Sequence, residues 1–122
     1  MLRTSLIAAA LTISACGDTP DAPPVAARMN AGVQTAQIVV GAEGYEPTSV
    51  ALQAGIPARL VFTRTSDDTC GTDIHAEALG VGRTPLPLGE SVPIEFTPGA
   101  AGRFTFACGM DMMEGTIVVV RS

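Results

Sequence analysis

The stretch Arg103-Phe-Thr-Phe-Ala-Cys108-Gly-Met-Asp-Met-Met-Glu-Gly115-Thr-Ile-Val-Val-Val-Arg121 joins two strand-like runs through a short sulfur-rich centre. Arg103 to Cys108 alternates, with Phe104, Phe106 and Cys108 on one face, as a half-buried strand does. Thr116 to Arg121 is apolar and β-branched, which suits a central strand covered on both sides. Between them, Cys108, Met110, Met112 and Met113 place one thiol and three thioethers in a tight turn. The whole chain has only three cysteines and five methionines. Gly109 and Gly115 flank the turn, and each permits tight backbone geometry.

The same β texture extends upstream. Gln34 to Val40 alternates with Ala36, Ile38 and Val40 on one face, and Ser49 to Gln53 ends at Gly55 and Pro57. Ala58 to Thr65 sets Leu60 and Phe62 inward. It also turns Arg64 inward near the strand end, where a carboxylate partner is expected. Ile74 to Ala78 and Ser91 to Phe96 complete the set, and Pro93 assigns the latter strand to a sheet edge. Seven short strands separated by Gly- and Pro-rich turns, with no long helical period and no repeat, predict a small all-β sandwich.

Length and charge narrow the function. A chain of 122 residues holds one domain plus a processed terminus. Its net charge is -5, with seven arginines and no lysine, which argues against nucleic acid and against an anionic membrane surface as partners. There is no nucleophile elbow, zinc motif, phosphate loop or EF-hand pattern. A thiol nucleophile would have only His75 as a base, so no enzymatic activity is expected. Asp67, Asp68, Asp73, Asp111 and Glu114 border the loops and read as solvated acidic residues that also favour a cation or a basic partner.

The N-terminus specifies a compartment. Arg3 precedes an apolar run from Leu6 to Ile13, which is shorter than the ~20 residues a spanning helix needs, and small residues follow. Residues 1–15 therefore read as a secretory signal. Ile13-Ser14-Ala15-Cys16 resembles a bacterial lipobox, which implies cleavage before Cys16, its lipidation and a membrane-anchored periplasmic protein. Gly17 directly after the cysteine leans the sorting towards the outer membrane. Residues 16–32 are small, polar and Pro-rich, without either period, and are predicted to be a flexible linker spanning ~20 Å root-mean-square. Residues 33–122 form the expected globular domain.

The sulfur turn between the last two strands resembles that of the cupredoxins, Greek-key sandwiches whose copper sits in the equivalent loop. The likeness is closest to cupredoxin-like domains of the EfeO type. It rests on Leu60-Val-Phe-Thr-Arg64, Cys70, Leu86-Pro-Leu-Gly89 and Cys108-Gly-Met-Asp-Met112-Met-Glu-Gly115, across residues 35 to 121. Carried over, it implies a cupredoxin-like Greek-key fold, with Cys70, Cys108, Met110 and Met112 as copper ligands. Met113 falls where that family varies and reads as packing.

A two-histidine blue-copper site is ruled out by the single histidine, His75, which is itself a further candidate ligand. Thiolates with thioethers favour Cu(I). The expected function is therefore copper homeostasis or delivery to a periplasmic or membrane copper protein. Two alternatives stay open. One is a one-electron carrier with an unusual site. The other is an interaction module stapled by a Cys70–Cys108 disulfide, which is worth about 4 kcal/mol in the loop-entropy model.

Overall fold

The computed structural model describes residues 23–68 and 71–121. Eleven strands follow one another: β1 (Val25–Ala26), β2 (Arg28–Asn30), β3 (Val33–Val40), β4 (Tyr45–Glu46), β5 (Ser49–Gln53), β6 (Ala58–Arg64), β7 (Asp73–Ala76), β8 (Val81–Pro85), β9 (Ser91–Phe96), β10 (Gly102–Ala107) and β11 (Glu114–Val120). The sole helical element among the described residues is a single 3-10 turn, Glu77–Leu79. Strands β3, β5, β6, β7, β9, β10 and β11 match the seven expected; β1, β2, β4 and β8 are additional. The all-β sandwich stands.

One sheet runs β1-β5-β11-β10-β7-β8, and the other runs β2-β3-β6-β9 with β4 paired to β3. Strand β11 lies between β5 and β10, the central place expected of its Ile-Val-Val-Val run, but it is buried on one face only, through Ile117 and Val119, with Val118 half-buried and Val120 exposed. Strand β9 closes the other sheet. Its Pro93 sits at an edge, where a missing N–H breaks no ladder on the outer side. The alternation in β3 seals Ala36, Ile38 and Val40 against Leu60 and Phe62 of β6 and Ile117 and Val119 of β11. Fully buried aliphatic and aromatic side chains of this kind contribute about 1.5–3 kcal/mol each. Leu60, Phe62, Ile74 and Phe106 help enclose a gap of only about 10 Å³ between the sheets, too small for an organic ligand.

One buried polar residue ties the sheets. Gln34 lies 2% exposed. Its amide donates to the carbonyls of Gln53 and Ile56 at 2.8 and 2.9 Å, and its oxygen accepts from Gln53 N at 2.7 Å. Both its donors and its acceptor oxygen are thus engaged, as burial demands.

Two expectations are corrected. Part of the predicted linker is ordered: Val25 and Ala26 pair in parallel with Val50 and Ala51, and Arg28–Asn30 pairs with Val33–Thr35. The second pairing closes through Ala31 and Gly32, both at positive φ (52° and 81°), as a two-residue hairpin turn requires. Strands of two or three residues are held by backbone bonds and need no side-chain period, which is why the composition concealed them. Arg64 does turn back towards the sandwich, but it finds carbonyls instead of a carboxylate. Its guanidinium donates to Ser66 O and Leu86 O, each at 3.1 Å. The signal segment, Cys16 and Cys70 lie outside the described residues.

Candidate metal centre

The sulfur turn is the tip of the β10–β11 hairpin, whose register runs from Gly102↔Val119 to Ala107↔Glu114. Cys108 follows the last paired residue and is fully buried. Its N–H donates to Met113 O at 3.2 Å, and its carbonyl accepts from Asp111 N at 2.9 Å, so the loop folds back on itself. Asp111 takes a left-handed conformation (φ 55°), which a short polar side chain tolerates better than most. The methionines separate by environment. Met110 and Met112 are 77% and 72% exposed, whereas Met113 packs against the hydrophobic core. Large apolar side chains held out in water beside a buried thiol call for an explanation.

Both loop glycines owe their place to close approach. Neither has positive φ. A Cβ on Gly115 would stand 2.0 Å from Phe106 Cζ, because the Phe106 ring lies directly over that backbone. The ring also meets Tyr45 and Phe62 edge-on, with centroids 4.8 and 5.6 Å away, and these three aromatics form a dry floor beneath the turn. A Cβ on Gly109 would stand 2.7 Å from both carboxylate oxygens of Asp73. The tight geometry expected at these glycines is thus a matter of close neighbours and not of a left-handed backbone.

Three side chains from the neighbouring strands hold the turn. Asp73 Oδ1 accepts from Gly109 N at 2.5 Å. Arg83 on β8 contacts the other Asp73 oxygen at 3.4 Å and donates to Gly109 O at 3.2 Å. Both polar groups of the Gly109 residue are therefore engaged from outside the hairpin. His75 lies on the face of β7 opposite the buried Ile74, and its register partner is Ala107. Its Nε2 lies 3.0 Å from both Cys108 O and Asp111 Oδ1. Both neighbours are acceptors, so Nε2 carries the proton. Nδ1 faces Glu77 at 3.5 Å.

His75 therefore reaches the loop as a hydrogen-bond donor. Of the sequence-predicted set, the fold brings Cys108, Met110, Met112 and His75 to one end of the sandwich. Sequence reading missed Asp73 and Arg83 as loop supports. Asp73 looked like one more solvated carboxylate, and no local pattern marks a partner 36 positions away.

Among the described residues, no three His, Cys, Asp or Glu side chains converge on a common metal position. The soft donors of the hairpin tip are the chemistry on offer.

Comparison with known proteins agrees with this architecture. The family model described as "Cupredoxin-like domain" matches residues 4–119. The metal-binding domain of the Cu(I)-exporting P-type ATPase CopA of Streptococcus pneumoniae D39, solved with Cu(I), is 37% identical and superposes with a TM-score of 0.76. That match covers 80% of this chain and 96% of the domain. A copper-binding protein solved by NMR in its apo form is 36% identical, with a TM-score of 0.74 and coverage of 80% and 98%. Auracyanin A, a blue copper protein of Chloroflexus aurantiacus, shares the fold at 21% identity and a TM-score of 0.51, over 73% of this chain and the whole of that one. Comparison with curated proteins finds no match by sequence. With its two facing sheets, its hairpin-tip cysteine and the match of the family model along almost its entire length, this chain belongs to the cupredoxin-like domain family.

Proposed function

We propose that this protein binds Cu(I) through sulfur and keeps or delivers it for copper homeostasis, as a lipid-anchored periplasmic protein. The observation that carries the reading is the hairpin tip itself. A buried cysteine sits on a loop pinned by Asp73, His75 and Arg83, with two methionine side chains exposed around it. Thiolate and thioether donors select Cu(I) over harder metals, and a donor set with one histidine cannot make a two-histidine electron-transfer site. The 37% identical domain from the Cu(I)-exporting ATPase, solved with Cu(I), supports the same choice.

In this reading Cys108, Cys70, Met110 and Met112 are the ligands. His75 orients the loop by donating from Nε2 to Cys108 O and Asp111. Membrane attachment rests on the Ile13-Ser14-Ala15-Cys16 sequence, and the exposed thioethers support release to a copper protein in or beside the membrane. No catalytic step is assigned to the chain.

The test uses the full chain carrying Cys16→Ser, so that Cys70 and Cys108 are the only thiols. Free thiols are counted as isolated, and the reduced protein is then titrated anaerobically with Cu(I) against a chromogenic chelator. Competition for Cu(I), weakened by Met110→Ala and Met112→Ala and lost in Cys108→Ser, is the expected result. A reduced protein that leaves all the Cu(I) with the chelator would overturn the reading in favour of the disulfide-stapled module. A reversible, strongly absorbing Cu(II) form would favour the electron carrier.

A further inference from the structure

The strand register fixes which end of the sandwich the N-terminal chain leaves from. Strand β1 runs parallel to β5, with Val25 level with Val50, and β5 runs parallel to β11, with Val50 level with Ile117. All three strands therefore begin at the end where the β10–β11 hairpin turns. From Ile117 back to Glu114 is three residues, or about 10 Å, and the sulfur loop lies just beyond. The opposite end carries the turn between β9 and β10, roughly 20 Å away along the six residues of β10.

Pro23 and Pro24 precede β1 and are exposed. Pro24 fixes its own φ and holds Pro23 extended, so this pair leads into β1 without a turn. Nine residue steps separate Cys16 from Val25, and these span at most ~32 Å in any conformation.

We infer that the sulfur loop is presented towards the membrane to which Cys16 is tied, and that its exchange partner is a protein embedded in that membrane. The inference rests on the lipid-anchor reading above and adds an orientation to it. The charges beside the loop argue against burial among lipid headgroups. Asp111, Glu77 and Glu114 are exposed carboxylates around the hairpin base, which an anionic surface repels. Held close to the bilayer yet kept off its headgroups, Met110 and Met112 suit a protein mouth with a basic rim.

The chain contains no tryptophan, so single tryptophans report position cleanly. The acylated full chain is reconstituted on vesicles of phosphatidylethanolamine and phosphatidylglycerol containing a dansyl-labelled lipid. Resonance transfer is then compared for Met112→Trp at the loop and Ala100→Trp at the opposite turn. With the ends roughly 20 Å apart, transfer from Met112→Trp is expected to be at least about two-fold more efficient. A second pair, Met110→Trp and Gly99→Trp, repeats the measurement should either first variant fail to fold; Gly99 has open space around it. Equal transfer, or stronger transfer from the far turn, overturns the orientation while leaving the anchor intact. A chain that does not float with the vesicles overturns the anchor reading, and the orientation with it.

Discussion

The contact between Asp73 and Gly109 is open to test from both sides. In Gly109→Ala the new Cβ would stand 2.7 Å from the two carboxylate oxygens, where ordinary contact begins at 3.4 Å. Restoring contact distance moves the carboxylate by about 0.7 Å. The Gly109 N···Oδ1 separation then grows from 2.5 Å to about 3.2 Å or more, the outer limit for such a bond. A charge-assisted bond to a backbone N–H is worth about 1.5–3 kcal/mol, and the Asp73 side chain is only 20% exposed, so screening by water removes little of it.

Gly109→Ala is therefore expected to destabilise the domain by about 2 kcal/mol, or roughly 8–16 °C in Tm for a domain of this size. Asp73→Ala is expected to lose a similar amount, since it abolishes the same bond. In the Asp73→Ala background, however, the alanine at 109 has nothing to strike, and its further effect should be near zero. Equilibrium urea unfolding of the wild type, both single variants and the double variant yields the coupling directly, expected at about 2 kcal/mol. Additive losses in the double variant would refute the argument. Gly109 would then be needed for its backbone freedom alone, and Asp73 would act elsewhere.

Other outcomes follow from the same geometry. Gly115→Ala should lower stability by about 2–3 kcal/mol, because the Phe106 ring is locked between Tyr45 and Phe62 and cannot yield cheaply; thermal unfolding checks this, and a Phe106→Leu background should recover part of the loss. Gln34→Leu should destabilise by about 3 kcal/mol in urea unfolding, since it strands Gln53 N and two carbonyls in a buried place. Arg59→Ala breaks an ion pair whose members are 46% and 63% exposed, and should change stability by less than about 0.5 kcal/mol. Met113→Ala should lower Tm through lost core packing, whereas Met110→Ala and Met112→Ala, truncating exposed side chains, should leave it nearly unchanged.

The periodic strands were readable because their signal is local. Alternation in Gln34 to Val40 and in Arg103 to Cys108 states directly which face is covered, whereas the unbroken run after Gly115 marked a central strand without telling its faces apart: Ile117 and Val119 are buried and Val120 is exposed. Pro93 announced its edge by the same logic, since a ring without an N–H cannot serve a central ladder. The short β1 and β2 gave no such sign. Backbone bonds alone hold two or three residues, and those bonds depend on where β5 and β3 lie, not on side-chain type.

By itself the amino-acid sequence determined the all-β class, the hairpin that carries Cys108 with its methionines, and the exclusion of any site needing two histidines. Composition and local period are enough for each of these. Only the tertiary structure decided how that hairpin tip is held. Asp73, His75 and Arg83 meet it from 26 to 36 residues away, Phe106 lies over Gly115, and β1 enters from the end that bears the sulfur. The physical reason is common to all of them. A contact between distant segments lowers the free energy through distance and geometry, and leaves no repeating mark in either segment to be read.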